Sequence, residues 1–209
     1  MDNQNSVNNT LNVIKKNYVT FFLLFLNIAA YILYTILGDM LYNIGSLSAL
    51  DITEKQEYYR LISCMFLHGG LDHLISNMLF LVILGEMLEQ MIGHAWFAVI
   101  YLLSGVGSGL FSMGYEILTG SFYHSIGASG AVCGLIGALL VVVIRNNGNY
   151  KQLSLRRMLF AIFYLVYTGL RSPIVNNAAH IGGLIVGFLL MLLLYKHICD
   201  KGSCEHKGI

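Results

Sequence analysis

The feature that most constrains the fold is a series of six long apolar stretches separated by polar segments. They run approximately over Tyr18–Leu37, Leu71–Met91, Ala95–Leu118, Ala128–Ile144, Leu155–Leu170 and Ile174–Tyr195. Only 11% of the residues are charged, against roughly 25% in soluble domains. Because lipid offers backbone polar groups no water, apolar stretches of this length cross a membrane as helices. We predict an all-α membrane protein, a bundle of six transmembrane helices.

Polar segments flank this predicted helical domain. Residues 1–17 form an Asn-rich tail, residues 18–195 hold the six helices, and residues 196–209 form a second tail. The first two helices are joined by a long connection, Gly38–Gly70. Lys15 and Lys16 precede an apolar stretch of about 20 residues, which is longer than a signal-peptide core, so we expect a retained helix.

The distribution of Lys and Arg predicts the orientation. With a cytoplasmic N-terminus, nine of the twelve basic residues lie inside, and three lie outside, namely Lys55, Arg60 and Arg171. This bias favours a multi-pass protein of the cell membrane with both termini cytoplasmic. The second, fourth and sixth helices then run in the same direction. No basic patch suggests a nucleic-acid partner, and the four irregularly spaced cysteines make a disulfide framework unlikely to form.

Two reactive side-chain types lie at matching positions in these helices. Ser129 begins the fourth stretch, sixteen positions before Arg145, and His180 lies sixteen positions before Lys196. At about 1.5 Å per residue, each is about 24 Å from a charged helix end. Since the two helices are predicted to be parallel, the serine and the histidine share one depth in the bilayer. Polar groups inside membrane helices are costly and therefore candidates for function.

The second helix adds two polar groups near the same layer. Asn77 lies sixteen positions before Gly93, where that helix ends, and His73 lies four residues earlier. Positions i and i+4 share one helix face, so both side chains point the same way. We expect this layer several Å below the outer surface, because the hydrocarbon core is about 30 Å thick.

These residue types fit the hydrolysis of a peptide bond. Ser129 can act as the nucleophile and His180 as the general base. Asn77, His73 and the backbone N–H of Ser129 can donate hydrogen bonds to an oxyanion. No carboxylate is placed to orient His180, which predicts a Ser–His dyad. The repeats Gly130-x-x-x-Gly134 and Gly183-x-x-x-Gly187 predict the close helix packing that a short Ser–His hydrogen bond needs.

Each residue also has a simpler interpretation. A single membrane serine commonly packs helices or bonds its own backbone, and a single histidine can belong to a proton path. We favour a structural role for Glu89, an interfacial position for Glu116 and loop bracing by His68. The tail residues His197, Cys199, Cys204 and His206 match no zinc spacing that we would trust, so no metal is expected.

Together the motifs resemble the rhomboid family of intramembrane serine proteases over roughly residues 58–195. They are Arg60–Met78 with its His73-x-x-x-Asn77, Gly85-x-x-x-Glu89-x-x-x-Gly93, Tyr101-Leu-Leu-Ser104-Gly105, Gly127-Ala128-Ser129-Gly130, and Ala179-His180 followed by Gly183 and Gly187. The resemblance implies the nucleophile Ser129, the base His180, and an oxyanion hole with His73 and Asn77. It also implies no metal or organic cofactor, and substrates that are single-span proteins of the lipid bilayer.

Two positions depart from the family pattern. Tyr59-Arg60 stands where the family has Trp-Arg, and Cys133 stands where an aromatic residue usually packs on the catalytic histidine. Two other functions therefore stay open: an inactive rhomboid-like protein that binds membrane clients, and a small transporter, whose inverted repeats are not evident. For a protease, we expect a small residue such as Ala or Gly before the scissile bond, because the substrate helix must unwind locally. The sequence leaves the oligomeric state open.

Overall fold

The computed structural model describes residues 12–172 and 175–198, and these are almost entirely helical. A short helical turn at residues 12–16 precedes the first long helix. The helices are α1 (Tyr18–Leu37), α2 (Asp39–Gly45), α3 (Ala49–Lys55), α4 (Arg60–Ser63), α5 (Leu71–Ile92), α6 (His94–Thr119), α7 (Ser129–Arg145), α8 (Leu155–Leu170) and α9 (Asn177–Ile198). A 3₁₀ turn, Cys64–Phe66, follows α4, and a hairpin of β1 (Asn149–Tyr150) and β2 (Leu153–Ser154) joins α7 to α8.

The predicted all-α membrane fold is confirmed, whereas six crossings remain a prediction. Four helices, α1, α5, α6 and α9, are long and apolar enough to cross a membrane. The apolar α7 has 17 residues and α8 has 16, each shorter than the roughly 20 residues of a typical span. The predicted connection Gly38–Gly70 is not irregular, since α2, α3, α4 and the 3₁₀ turn occupy most of it.

Two predicted boundaries differ from the structure. The last helix begins at Asn177 and continues to Ile198, beyond the domain end predicted at Tyr195. Its start is set by Asn176, whose side-chain oxygen accepts the N–H of Ala179 and so ends the preceding loop. In the predicted N-terminal tail, Asn17 is fully buried and accepts a hydrogen bond from Gln90 of α5.

Glycines bring α7 against α9 in a parallel arrangement. A methyl group added at Gly183 would overlap the carbonyl of Gly130, and one at Gly187 would overlap the carbonyl of Gly134. Both pairs advance by four residues in the same direction, so the two helices are parallel, as predicted. This confirms the packing role of the two glycine repeats, which allow close backbone approach between membrane helices.

Serines of α6 cover the other side of the same glycines. Added methyl groups at Gly130 and Gly134 would meet the side chains of Ser108 and Ser104, respectively. The order is reversed along α6, which therefore runs antiparallel to α7. Helix α7 is thus held between α6 and α9, and Ser129 is its first residue.

Glu89 joins the C-terminal end of α5 to the start of α1. Its buried carboxylate accepts hydrogen bonds from the N–H groups of Val19 and Thr20 at 2.9 and 2.8 Å, and from the Thr20 hydroxyl at 2.6 Å. His94, which begins α6, lies 2.6 Å from the same carboxylate. A carboxylate at a helix N-terminus satisfies N–H groups that have no partner within the helix. The structural role predicted for Glu89 is confirmed.

Arg60 organises the segment between α1 and α5. Its buried guanidinium donates to the carbonyls of Asn43 and Ser46 at 2.8 and 2.9 Å. It also forms an ion pair with Glu57 at 2.6 Å and with Asp51 at 3.4 Å. One side chain therefore ties together α2, α3 and the start of α4.

Candidate active site

Ser129 and His180 meet where α7 and α9 begin. His180 Nε2 lies 2.9 Å from Ser129 Oγ, within hydrogen-bond distance. Ser129 is the first residue of α7, and His180 lies in the first turn of α9. The parallel glycine packing brings these two helix starts together, so the pair predicted from matching depth is in contact.

Among the residues that the structure describes, no carboxylate orients the other ring nitrogen of His180. His180 Nδ1 is buried and has no hydrogen-bond partner within residues 12–172 and 175–198. When Nε2 accepts the Ser129 proton, Nδ1 carries the ring hydrogen. The arrangement is compatible with the predicted Ser–His dyad. Cys133, one turn along α7 from Ser129, is buried as well.

Gly127 leaves room for the His73 ring beside Ser129. A Cβ atom on Gly127 would lie 2.8 Å from the ring of His73 and 3.8 Å from Ser129 Oγ. Gly127 also has φ +131°, a conformation that side chains rarely adopt. Glycine is therefore required here for two reasons, its backbone angle and the histidine above it. His73 is brought to the site as predicted.

Asn77 is placed one turn deeper on α5, and it is nearly fully buried. Its side-chain Nδ2 donates to the carbonyl of His73 at 2.8 Å. The sequence predicts that this amide is free to donate to an oxyanion, whereas in the structure one hydrogen bonds the carbonyl of its own helix. The NH₂ group has a second hydrogen that can still be donated. The bond fixes the Asn77 side chain on the face of α5 that carries His73.

The loop before Ser129 is fixed by residues of the long connection. The N–H of Gly127 donates to the carbonyl of Cys64 at 2.9 Å, and the N–H of Ala128 donates to His68 Nε2 at 3.4 Å. Burial, with a smaller contribution from the nearby His73, lowers the pKa of His68 to about 4. His68 is therefore neutral at pH 7 and can accept this hydrogen bond. Loop bracing by His68 is confirmed.

Sequence reasoning missed Asn176, which contacts three elements around the start of α9. Its side chain bonds Ala179, Ser112 of α6 and Ser125 of the loop before Gly127. The signal that could have found it is an Asn placed before a helix start, since Asn is a preferred N-cap residue.

Glu116, for which the sequence predicts an interfacial position, is fully buried within the protein on α6, where it accepts a hydrogen bond from the Ser112 hydroxyl at 2.9 Å. In the part of the chain that the structure describes, no three His, Cys, Asp or Glu residues cluster closely enough to hold a metal ion. The tail residues Cys199, Cys204 and His206 lie outside the described residues. His197 packs edge-on against Trp96.

The site can support nucleophilic chemistry. It combines a hydroxyl, an imidazole 2.9 Å away, and donors from the first turn of α7, whose N–H groups have no partner within the helix. Ser129 and His180 are each partly exposed rather than fully buried. A carbonyl group approaching Ser129 Oγ can therefore reach the nucleophile and the His73 side together.

Comparisons with known proteins point to one protein family. A family profile described as the Rhomboid domain matches residues 55–197. RHOMBOID-like protein 6, mitochondrial, of Arabidopsis thaliana is 40% identical over 75% of this chain and 50% of its own length. Rhomboid protease GluP of Bacillus subtilis is 34% identical over 66% of this chain and 26% of its own. Inactive RHOMBOID-like protein 8 of Arabidopsis thaliana is 36% identical over 82% of this chain and 48% of its own length. The chain spans about half the length, or less, of these curated relatives.

Proposed function

This chain belongs to the rhomboid family, and from that premise we propose that it is an intramembrane serine endopeptidase. The observation that supports this most is the 2.9 Å separation of Ser129 Oγ and His180 Nε2. The protein is a multi-pass membrane protein, with four helices long and apolar enough to span the bilayer. The substrates proposed are single-span membrane proteins, cut near or within the transmembrane segment.

In the proposed reaction, Ser129 and His180 divide the chemistry of acyl transfer. Ser129 Oγ attacks the carbonyl carbon of the scissile bond while His180 Nε2 takes the hydroxyl proton. The tetrahedral intermediate then collapses, the C–N bond breaks, and His180 returns the proton to the leaving amine. A water molecule, deprotonated by the same nitrogen, hydrolyses the acyl-enzyme and restores the serine.

The oxyanion of each tetrahedral intermediate needs hydrogen-bond donors. We assign this role to the backbone N–H of Ser129, the ring of His73 and the side chain of Asn77. His73 supports the assignment because its ring lies above Gly127, on the same side as Ser129 Oγ. Asn77 supports it indirectly, through the bond that holds it beneath His73.

The placement in the membrane is proposed as well. Six crossings put both termini in the cytoplasm and the start of α7 near the outer face, following the excess of Lys and Arg inside. Water for hydrolysis then enters from outside. The shorter α7 needs to cover less of the bilayer, because it begins below the surface.

A second function is an inactive rhomboid-like protein that binds membrane segments. A relative named as inactive is 36% identical to this chain, and Cys133 stands where the family has an aromatic residue beside the histidine. Against it stands the Ser129–His180 contact, which an inactive protein does not need.

The test is cleavage of a labelled single-span substrate by purified protein in lipid vesicles. The parent protein should cleave it, and Ser129→Ala and His180→Ala should each lose about 10³-fold or more in rate, because each residue acts only as part of the pair. Both variants should unfold at the temperature of the parent. Folded parent protein that binds the substrate without cutting it would favour the inactive binder.

A further inference from the structure

We propose that Asn176 is a positioning residue, which holds the start of α9 against α6 and so keeps His180 within reach of Ser129. The inference rests on the proposed protease function, since positioning matters only where the pair reacts. Asn176 lies four residues before His180 and touches no reacting atom in the structure. It acts through the helix that carries the imidazole.

The first step is the cap that Asn176 places on α9. Its Oδ1 accepts the N–H of Ala179 at 2.9 Å, and its backbone carbonyl accepts the N–H of His180 at 3.1 Å. An N-cap side chain that bonds the third residue of a helix fixes the geometry of the first turn. His180 lies in that turn, so its backbone position depends directly on Asn176.

The second step is the bond from Asn176 to the neighbouring helix. Asn176 Nδ2 donates to Ser112 Oγ at 2.6 Å and to Ser125 Oγ at 3.2 Å. Ser112 belongs to α6, and Ser125 lies two residues before Gly127. The same amide therefore connects the start of α9 to a helix and to the loop that leads to Ser129.

The third step is the buried acceptor behind Ser112. The Ser112 hydroxyl donates to Glu116 Oε1 at 2.9 Å, and both residues are fully buried. Since that hydroxyl hydrogen points to Glu116, its oxygen is free to accept from the Asn176 amide. The backbone N–H of Ala179 can only donate, so the side-chain oxygen of Asn176 must face Ala179. The amide orientation is thus determined by both neighbours.

The effect on the pair follows from the range of a hydrogen bond. Ser129 Oγ and His180 Nε2 are 2.9 Å apart, and the interaction weakens rapidly beyond about 3.2 Å. A small outward movement of the first turn of α9 would separate them. The glycine contacts at Gly183 and Gly187 hold α9 further along, so the end that carries His180 needs its own restraint.

Three substitutions separate the cap from the link to α6. Asn176→Ala removes both. Asn176→Asp keeps an oxygen for Ala179, because Asp caps helices as well as Asn does, but it cannot donate to Ser112 or Ser125. Ser112→Ala keeps the cap and removes the oxygen that accepts from the amide. Misplacement by about 1 Å can cost about 10²-fold in rate.

The measurement is steady-state cleavage of the labelled single-span substrate in vesicles, with kcat and KM separated. We expect all three variants to lower kcat about tenfold or more while KM stays within about twofold. The double variant Asn176→Asp with Ser112→Ala should be no slower than Asn176→Asp alone, since that substitution already removes the donor to Ser112. A parent-like kcat in Asn176→Asp, or a loss confined to KM, would overturn the inference.

Asn146→Ala is the matched control. Asn146 Nδ2 bonds Val142 and the hydroxyl of Tyr195, so it ties the other ends of α7 and α9 together. This variant should lower the unfolding temperature and leave kcat within about twofold. If it slowed kcat as much as Asn176→Ala does, general destabilisation would explain both and positioning would be rejected.

Hydrogen exchange gives a readout that does not need activity. In Asn176→Ala, the amide of Ala179 should exchange at least about tenfold faster than in the parent, because it loses its capping partner. If the folded parent protein does not cleave the substrate, the proposed protease function is wrong, but the exchange rate still tests whether Asn176 restrains the start of α9. An unchanged exchange rate at the Ala179 amide would overturn the inference whatever the activity.

Discussion

Helices α7 and α8 have nearly the same length and are joined by one hairpin, yet they are packed in opposite ways. In α7, thirteen of 17 residues are buried. In α8, two of 16 are buried, Met158 and Gly169. The difference lies in side-chain size, since small residues on α7 admit neighbouring backbones, whereas α8 directs large aromatic side chains outward. Apolar content alone does not tell a central membrane helix from a peripheral one.

The comparison has a functional side. Helix α7 carries the proposed nucleophile Ser129 at its start, so the packing of α7 also determines where Ser129 lies. Helix α8 carries no residue of the proposed site. Substitutions that disturb α7 should therefore lower both stability and cleavage, and comparable substitutions on α8 should lower neither by much.

The largest effect is expected for Gly183→Ala, which tests the contact between α7 and α9. The new methyl group would overlap the Gly130 carbonyl. Because that carbonyl belongs to the backbone of α7, the overlap can be relieved only if α7 and α9 move apart. The free energy of unfolding should fall by about 2–3 kcal/mol, and cleavage should fall at least about tenfold. The matched control is Gly114→Ala on α6, where an added methyl meets nothing within 4 Å. If both substitutions lowered the free energy of unfolding in detergent equally, the contact between Gly183 and Gly130 would not be the cause of the loss.

Next in size is Leu139→Ala, within the buried part of α7. Leu139 is 0% exposed, so truncation leaves a void lined by atoms that lose packing contacts. We expect unfolding to become easier by about 2 kcal/mol. Cleavage should fall less than in Gly183→Ala, because the void is far from Ser129 along the helix. A neutral result would contradict the tight packing of α7.

Gly127→Ala tests the start of α7 instead of its middle. The residue has φ +131°, and an added Cβ would press on the His73 ring. Strain of this kind costs about 1–2 kcal/mol, so the stability loss should be smaller than in Leu139→Ala. Cleavage should nevertheless fall about tenfold or more, because His73 must move. Activity equal to the parent would show that His73 is not needed where the structure places it.

The smallest effect is expected for Phe163→Ala on α8. Phe163 is 66% exposed, and its removal leaves no void within the protein. The free energy of unfolding in detergent should change by less than about 0.5 kcal/mol. A loss as large as that of Leu139→Ala would break the comparison between the two helices.

Much of the site could be predicted because it depends on spacing along helices. The contact between Ser129 and His180, the parallel packing at the glycine repeats, and the structural role of Glu89 all follow from residue positions on regular helices. A rise of about 1.5 Å per residue converts such positions into distances without further information.

What could not be predicted depends on contacts between distant, irregular segments. The loop before Ser129 is held by an antiparallel bridge between Leu47 and Ser125, which no local pattern announces. The link from Asn176 to Ser112 likewise joins residues 64 positions apart. The last helix starts at Asn177, later than the predicted start at about Ile174. The cap that sets this start is recognised only through its hydrogen-bond partners.

The order of the chain has a consequence for how the protein is made. His180 lies on the last helix that the structure describes, more than fifty residues after Ser129. While the chain has been synthesised only through α8, Ser129 is present without His180, its proposed general base. The proposed peptidase would therefore gain activity only after α9 has been made and has packed against α7.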